Sequence, residues 1–488
     1  MGFDYTAKNR NHNEQNENDI QGLDMSFQGI KNISDVVFKY LRLKELLLNN
    51  NDLEIIPLGI SKLPYIEKID LSHNRIKTIP PELGRAVNLR ELLLNDNLIS
   101  TVPMEIGSLY NLVCLNLTNN PLMSPFHSLY KDGALLRFCR DNNNNYKPPN
   151  TRMWVETSNI VNRNDFESIS VGTYNILSNF NASKILYTPL WTIAPESRKD
   201  IILKNIISYD LDILCLQEVE TYLYYECYRD GLYSKGNYQS SYFEKMQIEA
   251  VKDTKIADGC AIFWKNERFK LVEEFKINFY NRLTADTRLK NNYEIHNLYG
   301  KRGEVGLVVV LEKGIDEVFI VVNTQLCTEP NNHNVRLLQM IFLLEDLEKI
   351  RNKYKGASVV IMGDLASTKE SKVYDLIMNR KTEYNPFGLK TSGHLSDYYK
   401  HTLKLITAYE DPDGSFTCFT PVFKGIVDHI LYSDNLIASD IITLVEDDYT
   451  ERTVGLPNIH FPSNHILIGA KLCIKPVFKK NYKPKSIK

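Results

Sequence analysis

Four asparagines, Asn51, Asn74, Asn97 and Asn120, follow one another at intervals of 23 residues. Ahead of each lies the same apolar template. Leu43, Leu46 and Leu48 precede Asn51, and Ile66, Ile69 and Leu71 precede Asn74. Leu89, Leu92 and Leu94 precede Asn97, and Leu112, Leu115 and Leu117 precede Asn120. A spacing of this kind constrains a chain severely. One repeat cannot bury its own apolar face, so the copies must stack, with the leucines forming a continuous core and each asparagine satisfying backbone groups at a turn. The spacing therefore predicts a leucine-rich-repeat solenoid over residues 20–140. Gln28 stands one period before Asn51, and Leu23 and Met25 fall at strand positions, so residues 20–33 read as a degenerate capping repeat. Lys44, Glu45, Glu67, Lys68, Arg90 and Glu91 fall between the leucines and give a mixed-charge exposed face. Such a face suits a protein partner better than a phosphate backbone.

The period stops after Asn120. A helical cap is expected as far as Arg140, then a polar linker over 141–150, where Asp-Asn-Asn-Asn-Asn-Tyr-Lys-Pro-Pro carries no apolar pattern. From 151 the texture changes to short apolar runs alternating with helical stretches. Strands are expected at 168–177, 211–218, 258–264, 305–312, 317–326, 357–363, 426–432 and 465–472, with a long helix over 332–354. This alternation predicts a layered α/β domain over 151–475. Residues 1–19 read as a polar, disordered lead-in and 476–488 as a basic tail.

Bulk composition mainly excludes. The net charge of −2 gives no global argument for nucleic acid, and nothing resembles a signal peptide or a membrane-spanning run. The eight cysteines are scattered with no Cys-x-x-Cys pair, which points to reduced thiols in the cytoplasm or nucleus and against a zinc ribbon.

Several predicted strands end in groups capable of chemistry. Asn175 closes the first, Gln217-Glu218 the second, Asp364 the sixth; Asp428 lies within the seventh, and Ser463-Asn464-His465 opens the last. A single carboxylate at a strand end is ordinarily a cap. Several in one place repel unless a cation holds them, and oxygen and amide donors without cysteine suit a hard ion such as Mg²⁺.

These stretches occur in a recognisable order: Tyr-Asn-Ile-Leu (174–177), Leu-Gln-Glu-Val-Glu (216–220), Asp-Gly-Cys-Ala-Ile-Phe-Trp-Lys (258–265), Gly-Asp-Leu (363–365), Phe-Lys-Gly-Ile-Val-Asp (423–428) and Pro-Ser-Asn-His (462–465). The series resembles the catalytic domain of the endonuclease/exonuclease/phosphatase superfamily. Together with the repeats ahead of it, it is similar to the carbon catabolite repressor protein 4 type of deadenylase. The resemblance implies a two-sheet α/β sandwich that shortens poly(A) on mRNA from the 3′ end with Mg²⁺. By resemblance Glu218 is the principal metal ligand with Asn175 beside it, Asp364 activates the attacking water, and Asp428 and His465 complete the site. The repeats are implied to dock a second deadenylase subunit within a large deadenylase complex.

Three positions depart from that family pattern. Ala366 stands where Gly-Asp-x-Asn has its amide, Gln325 where a histidine is usual, and Asn464 where Ser-Asp-His has its aspartate. Gln325 still donates a hydrogen bond but brings no proton charge, and Asn464 keeps an oxygen but loses the charge that would hold a metal or favour an imidazolium. Losing one preorganised donor costs about 10²–10³ in rate. A slowed enzyme is therefore the first reading, and an inactive adaptor within the same complex is the alternative. Substrate contacts have changed too. Ser241–Lys245 replaces a nucleic-acid-facing segment, and Pro421 replaces an aromatic expected to stack on adenine.

Overall fold

The computed structural model describes residues 20–143, 148–158, 167–245, 257–289, 293, 296, 299, 303–314, 317–382, 399–410, 414–450 and 453–475. The lead-in and the basic tail lie outside these. The chain divides into two compact units: residues 1–145 with the short segments 186–189 and 452–454, and the remainder.

The first unit is the solenoid. Five short strands, β1 (Gly22–Asp24), β2 (Glu45–Leu47), β3 (Lys68–Asp70), β4 (Glu91–Leu93) and β5 (Cys114–Asn116), pair in parallel and in order. Leu46, Ile69 and Leu92 align across the sheet and are fully buried. The asparagine ladder works as the spacing requires. Asn74 donates to the carbonyls of Leu48 and Leu71, both at 3.0 Å, and accepts from the Leu53 N–H at 3.0 Å. Asn97 repeats this one period on, with Leu71 at 3.0 Å and Leu94 at 3.1 Å. Each turn needs one left-handed residue, and Asn50, His73, Asp96 and Asn119 supply it with φ between 53° and 58°. Gln28 departs from the ladder: it is exposed, and its backbone N–H instead donates to Asn51 at 3.0 Å. On the strand face, Lys44 pairs with Glu67 at 3.2 Å and Lys68 with Glu91 at 3.1 Å. Helices Phe126–Lys131 and Leu135–Asp141 follow the last repeat.

The second unit is an α/β sandwich. Its strands are β6 (Trp154–Glu156), β7 (Ser168–Asn175), β8 (Ile213–Glu220), β9 (Tyr238–Glu244), β10 (Asp258–Lys265), β11 (Lys270–Asn278), β12 (Val305–Lys313), β13 (Glu317–Gln325), β14 (Ser358–Asp364), β15 (Lys381–Thr382), β16 (Tyr399–Lys400), β17 (Leu405–Thr407), β18 (Cys418–Thr420), β19 (Phe423–Gly425), β20 (Asp428–Ser433), β21 (Leu436–Ile442) and β22 (Ile468–Ile474). One sheet runs β6-β21-β22-β7-β8-β10-β9, the other β11-β12-β13-β14-β20-β17. Both are antiparallel except at one central pair, β7/β8 and β13/β14. A parallel pair needs a crossover, and helices Pro195–Tyr209 and His333–Lys353 provide them.

Alternation along the strands sorts the core into layers. Val305, Leu307 and Val309 join Val171, Ile213 and Ile262 between the sheets. Val308 and Val310 point the other way, onto Leu338, Phe342 and Leu344 of helix His333–Lys353. Leu214 and Leu216 face Ile202 and Ile206 of the other crossover helix. Helices therefore cover both outer faces and the polar strand ends meet along one edge of the inter-sheet core. No described helix is long and apolar enough to cross a membrane.

Candidate active site

The parallel pairs set the site. Register places Asn175 beside Gln217, Gln325 beside Asp364, and Asp364 beside Asp428. Glu218 reaches the same cleft through an irregularity. On β8, Leu216 pairs with Ala261 but Val219 pairs with Gly259, so two residues oppose Cys260 alone. Glu218 is the extra residue, with φ 55°. Strict alternation would send it toward the outer helix layer where Val219 packs; the bulge turns it into the cleft instead.

Glu218 is fully engaged there. Its Oε1 accepts from Asn175 Nδ2 at 3.2 Å and Gln325 Nε2 at 3.0 Å. Its Oε2 accepts from the Ser178 N–H at 2.9 Å and Asn181 Nδ2 at 2.8 Å. Burial alone would raise its pKa, but the charge of Lys245 and the bonds from Asn181, Gln325 and Ser178 outweigh it and hold the carboxyl down at about 2. Asp364 stands between two partners. Its Oδ2 accepts from Asn175 Nδ2 at 3.0 Å and Gln325 Nε2 at 3.1 Å, and its Oδ1 accepts from the Ala366 N–H at 2.9 Å. Burial lifts its pKa and Asp428 adds to this, while His465 opposes it.

His465 Nδ1 lies 2.7 Å from Asp428 Oδ2, and Nε2 lies 3.9 Å from Asp364 Oδ2. Burial disfavours the imidazolium, but Asp428, Cys418 and Asp364 together push its pKa well above the ordinary value. This corrects the expectation that Asn464 leaves His465 without a charge to favour its imidazolium. The carboxylate behind the histidine is Asp428, which is present. Asn464 turns away, its Nδ2 3.9 Å from Cys418 Sγ, and does not bond the ring.

Asn175, expected beside the metal, lies between the two carboxylates. Its oxygen accepts from the Leu177 N–H at 3.0 Å, so it meets both carboxylates as a donor through Nδ2. Three contributors were not legible as site residues. Ser178 caps the short helix Asn179–Ala182, accepting from the Asn181 N–H at 3.2 Å, and the Ser-Asn-Phe-Asn run after a strand is the cap signature that could have revealed it. Lys245 was read as drift in a substrate segment. It follows β9, a strand not predicted, whose pairing with β10 brings Lys245 Nζ to 2.5 Å from Asp258 and 2.6 Å from Gln325 Oε1. Arg198, fully buried on helix Pro195–Tyr209, donates to the carbonyls of Ile176 at 2.6 Å and Pro462 at 2.7 Å, tying the turn after β7 to the segment before His465.

The donor set suits a hard cation. Asp364 and Asp428 offer carboxylate oxygens within 4.8 Å of one another, with the His465 ring at the same point. Asp428 Oδ1 and Asn464 Oδ1 are buried oxygens with no hydrogen-bond partner, lone pairs a cation or its water could take.

A model of the endonuclease/exonuclease/phosphatase family matches residues 172–465, and a leucine rich repeat model matches 64–122. A Vairimorpha ceranae protein described as "Probable CCR4-Not complex 3'-5'-exoribonuclease subunit Ccr4" is 46% identical over 96% of this chain and 98% of its own length. The chain belongs to the Ccr4 family. The Ccr4 subunit of Aspergillus oryzae is 37% identical over 93% of this chain and 67% of that protein. Among solved structures, ANGEL2, a 2',3'-cyclic phosphatase, aligns with a TM-score of 0.55 at 24% identity over 66% of this chain and 99% of that one, a likeness of fold. Membership of the Ccr4 family accounts for the repeats and the sandwich together.

Proposed function

We propose that this chain is the 3′–5′ exoribonuclease subunit of a CCR4-Not complex and removes poly(A) from mRNA in the cytoplasm, using Mg²⁺. The observation that carries the reading is the buried meeting of Glu218, Asp364 and the Asp428–His465 pair in a chain 46% identical, nearly end to end, to a Ccr4 relative. Glu218, with Asp364 beside it on the same two amide donors, would hold the ion, which when bound neutralises charge on the scissile phosphate. Asp364, kept above its ordinary pKa by burial, is suited to orient a water and take its proton. His465, held positive by Asp428, faces the same point and supplies a counter-charge. Asn175 and Gln325 aim N–H donors at both carboxylates and fix their direction.

The three departures then weigh unequally. Asp428 keeps His465 charged despite Asn464, and Gln325 retains two donor bonds. Ala366 alone removes a group that nothing described replaces. The site is accordingly that of a slowed enzyme. The repeats, residues 20–140, would serve as the docking module for a second deadenylase subunit, and residues 151–475 as the nuclease.

Incubating the full chain with a 5′-labelled RNA ending in oligo(A) and Mg²⁺ tests direction and product. Stepwise shortening of the labelled strand with release of AMP supports the reading. Cleavage inside the strand, or none beyond that of Glu218→Ala, refutes it. Deleting residues 20–140 should abolish co-purification of a second deadenylase subunit while the sandwich still folds.

A further inference from the structure

Gln325 has two ends, and both are spoken for. Its Nε2 donates to Glu218 Oε1 at 3.0 Å and to Asp364 Oδ2 at 3.1 Å. Its Oε1 lies 2.6 Å from Lys245 Nζ. An ammonium has donors and no lone pair, and an ionised carboxylate accepts only. The amide can satisfy all three contacts in one orientation alone. Lys245 is in turn fixed by Asp258, 2.5 Å away, and its side chain is only 19% exposed.

We propose that Lys245 is a positioning residue: through Gln325 Oε1 it locks the Gln325 amide so that its NH₂ bridges Glu218 and Asp364, the pair doing together what one protonated imidazole could do alone. This rests on the exoribonuclease reading above. The two carboxylates already disfavour the amide oxygen, so orientation is not all that Lys245 adds. It gives the oxygen a fixed seat and polarises the amide, strengthening both N–H bonds in a dry site. It also brings to this corner the positive charge that glutamine lacks. When the carboxylates engage a cation or a water, Lys245 is the tether that keeps Gln325 in place. The Lys245 proton is well held: burial opposes the charge, but Asp258 and Glu218 outweigh it.

The test uses the full chain, Mg²⁺ and oligo(A) RNA. Lys245→Met should lower kcat by about 10-fold to 10²-fold, near the loss of one preorganised donor, with KM unchanged to within about twofold. Lys245→Arg, which keeps a charged donor, should recover most of the rate. Gln325→Ala should cost a similar factor, and the double variant no more than the larger single loss, because the residues act as one unit. In a Gln325→His background the Lys245→Met penalty should shrink. Mg²⁺ binding to Lys245→Met, measured by calorimetry, should be no weaker than wild type, since a nearby cation has been removed. A raised KM with unchanged kcat would make Lys245 an RNA contact and overturn the proposal, as would multiplicative losses in the double variant. A crystal structure of Lys245→Met gives a readout independent of turnover. Loss of at least one Gln325–carboxylate contact supports the proposal; retention of both at wild-type distances overturns it. Failure of the exoribonuclease reading is distinct: wild type and Glu218→Ala would then be equally inert, while the crystal structure would still decide the role of Lys245.

Discussion

Replacing Ala366 by asparagine should make the protein both more stable and faster, and the two gains can be separated. Ala366 adopts φ 45°, in the left-handed region. Most residues with a Cβ pay about 1–2 kcal/mol there; glycine does not, and asparagine offsets much of it by local side-chain hydrogen bonding. The conformation is enforced, because the Ala366 N–H donates to Asp364 Oδ1 at 2.9 Å and the neighbouring Leu365 N–H donates to the Val427 carbonyl at 2.9 Å. Ala366 is itself only half-buried, which leaves room for a longer side chain. Ala366→Gly should relieve the strain but lose about 0.4–1 kcal/mol of that gain to a freer unfolded chain. Ala366→Asn should keep most of it, a net stabilisation of about 1 kcal/mol. All three tryptophans, Trp154, Trp191 and Trp264, belong to the sandwich unit, so urea unfolding followed by their fluorescence reads that unit in the intact chain. In activity the variants should part. The asparagine amide restores a donor beside Asp364 and should raise kcat on oligo(A) by about tenfold or more, toward the 10²–10³ of one donor; the glycine should leave it near wild type. Equal rates for Asn and Gly would show that no amide is used at this position, and a glycine variant no more stable than about wild type minus its entropy loss would remove the strain argument.

Gly363 carries φ 148°, and a Cβ there would lie 1.9 Å from the Thr324 carbonyl oxygen, so Gly363→Ala should force β13 and β14 apart under Gln325 and Asp364. Urea unfolding should show a loss of about 1–3 kcal/mol or more, the cost of overpacking a site that cannot give, and kcat should fall with it. Asp428→Asn should cost about 10²–10⁴ in kcat by removing the charge on His465, whereas Asn464→Asp should change it far less, a contrast that steady-state assays of both variants would check. Glu218, ordinarily near 4.5, is held at about 2 in the folded chain, so its contribution to stability is full above 4.5 and is lost as pH falls toward 2. Glu218→Gln should flatten the decline of urea stability in that window; an unchanged slope would place the acid sensitivity elsewhere.

Much of this protein could be read from its residues because its periods are clean. The 23-residue spacing gave the solenoid, and the asparagine ladder follows from it bond for bond. The central strands were visible for the same reason: runs such as Leu307–Leu311 are buried on both faces and read as continuous apolar stretches. Peripheral strands were not. β9 and β11 carry no clean alternation, as Lys270–Phe275 shows with Leu271 and Val272 exposed and two glutamates side by side, and β18 and β19 are too short to carry a period. Missing β9 hid Lys245, whose place depends on pairing across a gap in sequence. The bulge at Glu218 was equally invisible, since it exists only as a mismatch between two strands. The pairing of His465 with Asp428 rather than with its neighbour Asn464 is likewise a fact of register.

The central claim is that the retained groups still turn over RNA despite Ala366, Gln325 and Asn464. Shortening of a 5′-labelled oligo(A) by the purified chain, compared with Glu218→Ala and with EDTA, tests it most directly. We expect slow, stepwise loss of adenylates that stops in EDTA and falls by about 10² or more in Glu218→Ala. Equal background in all three reactions would contradict the claim and leave the sandwich a scaffold.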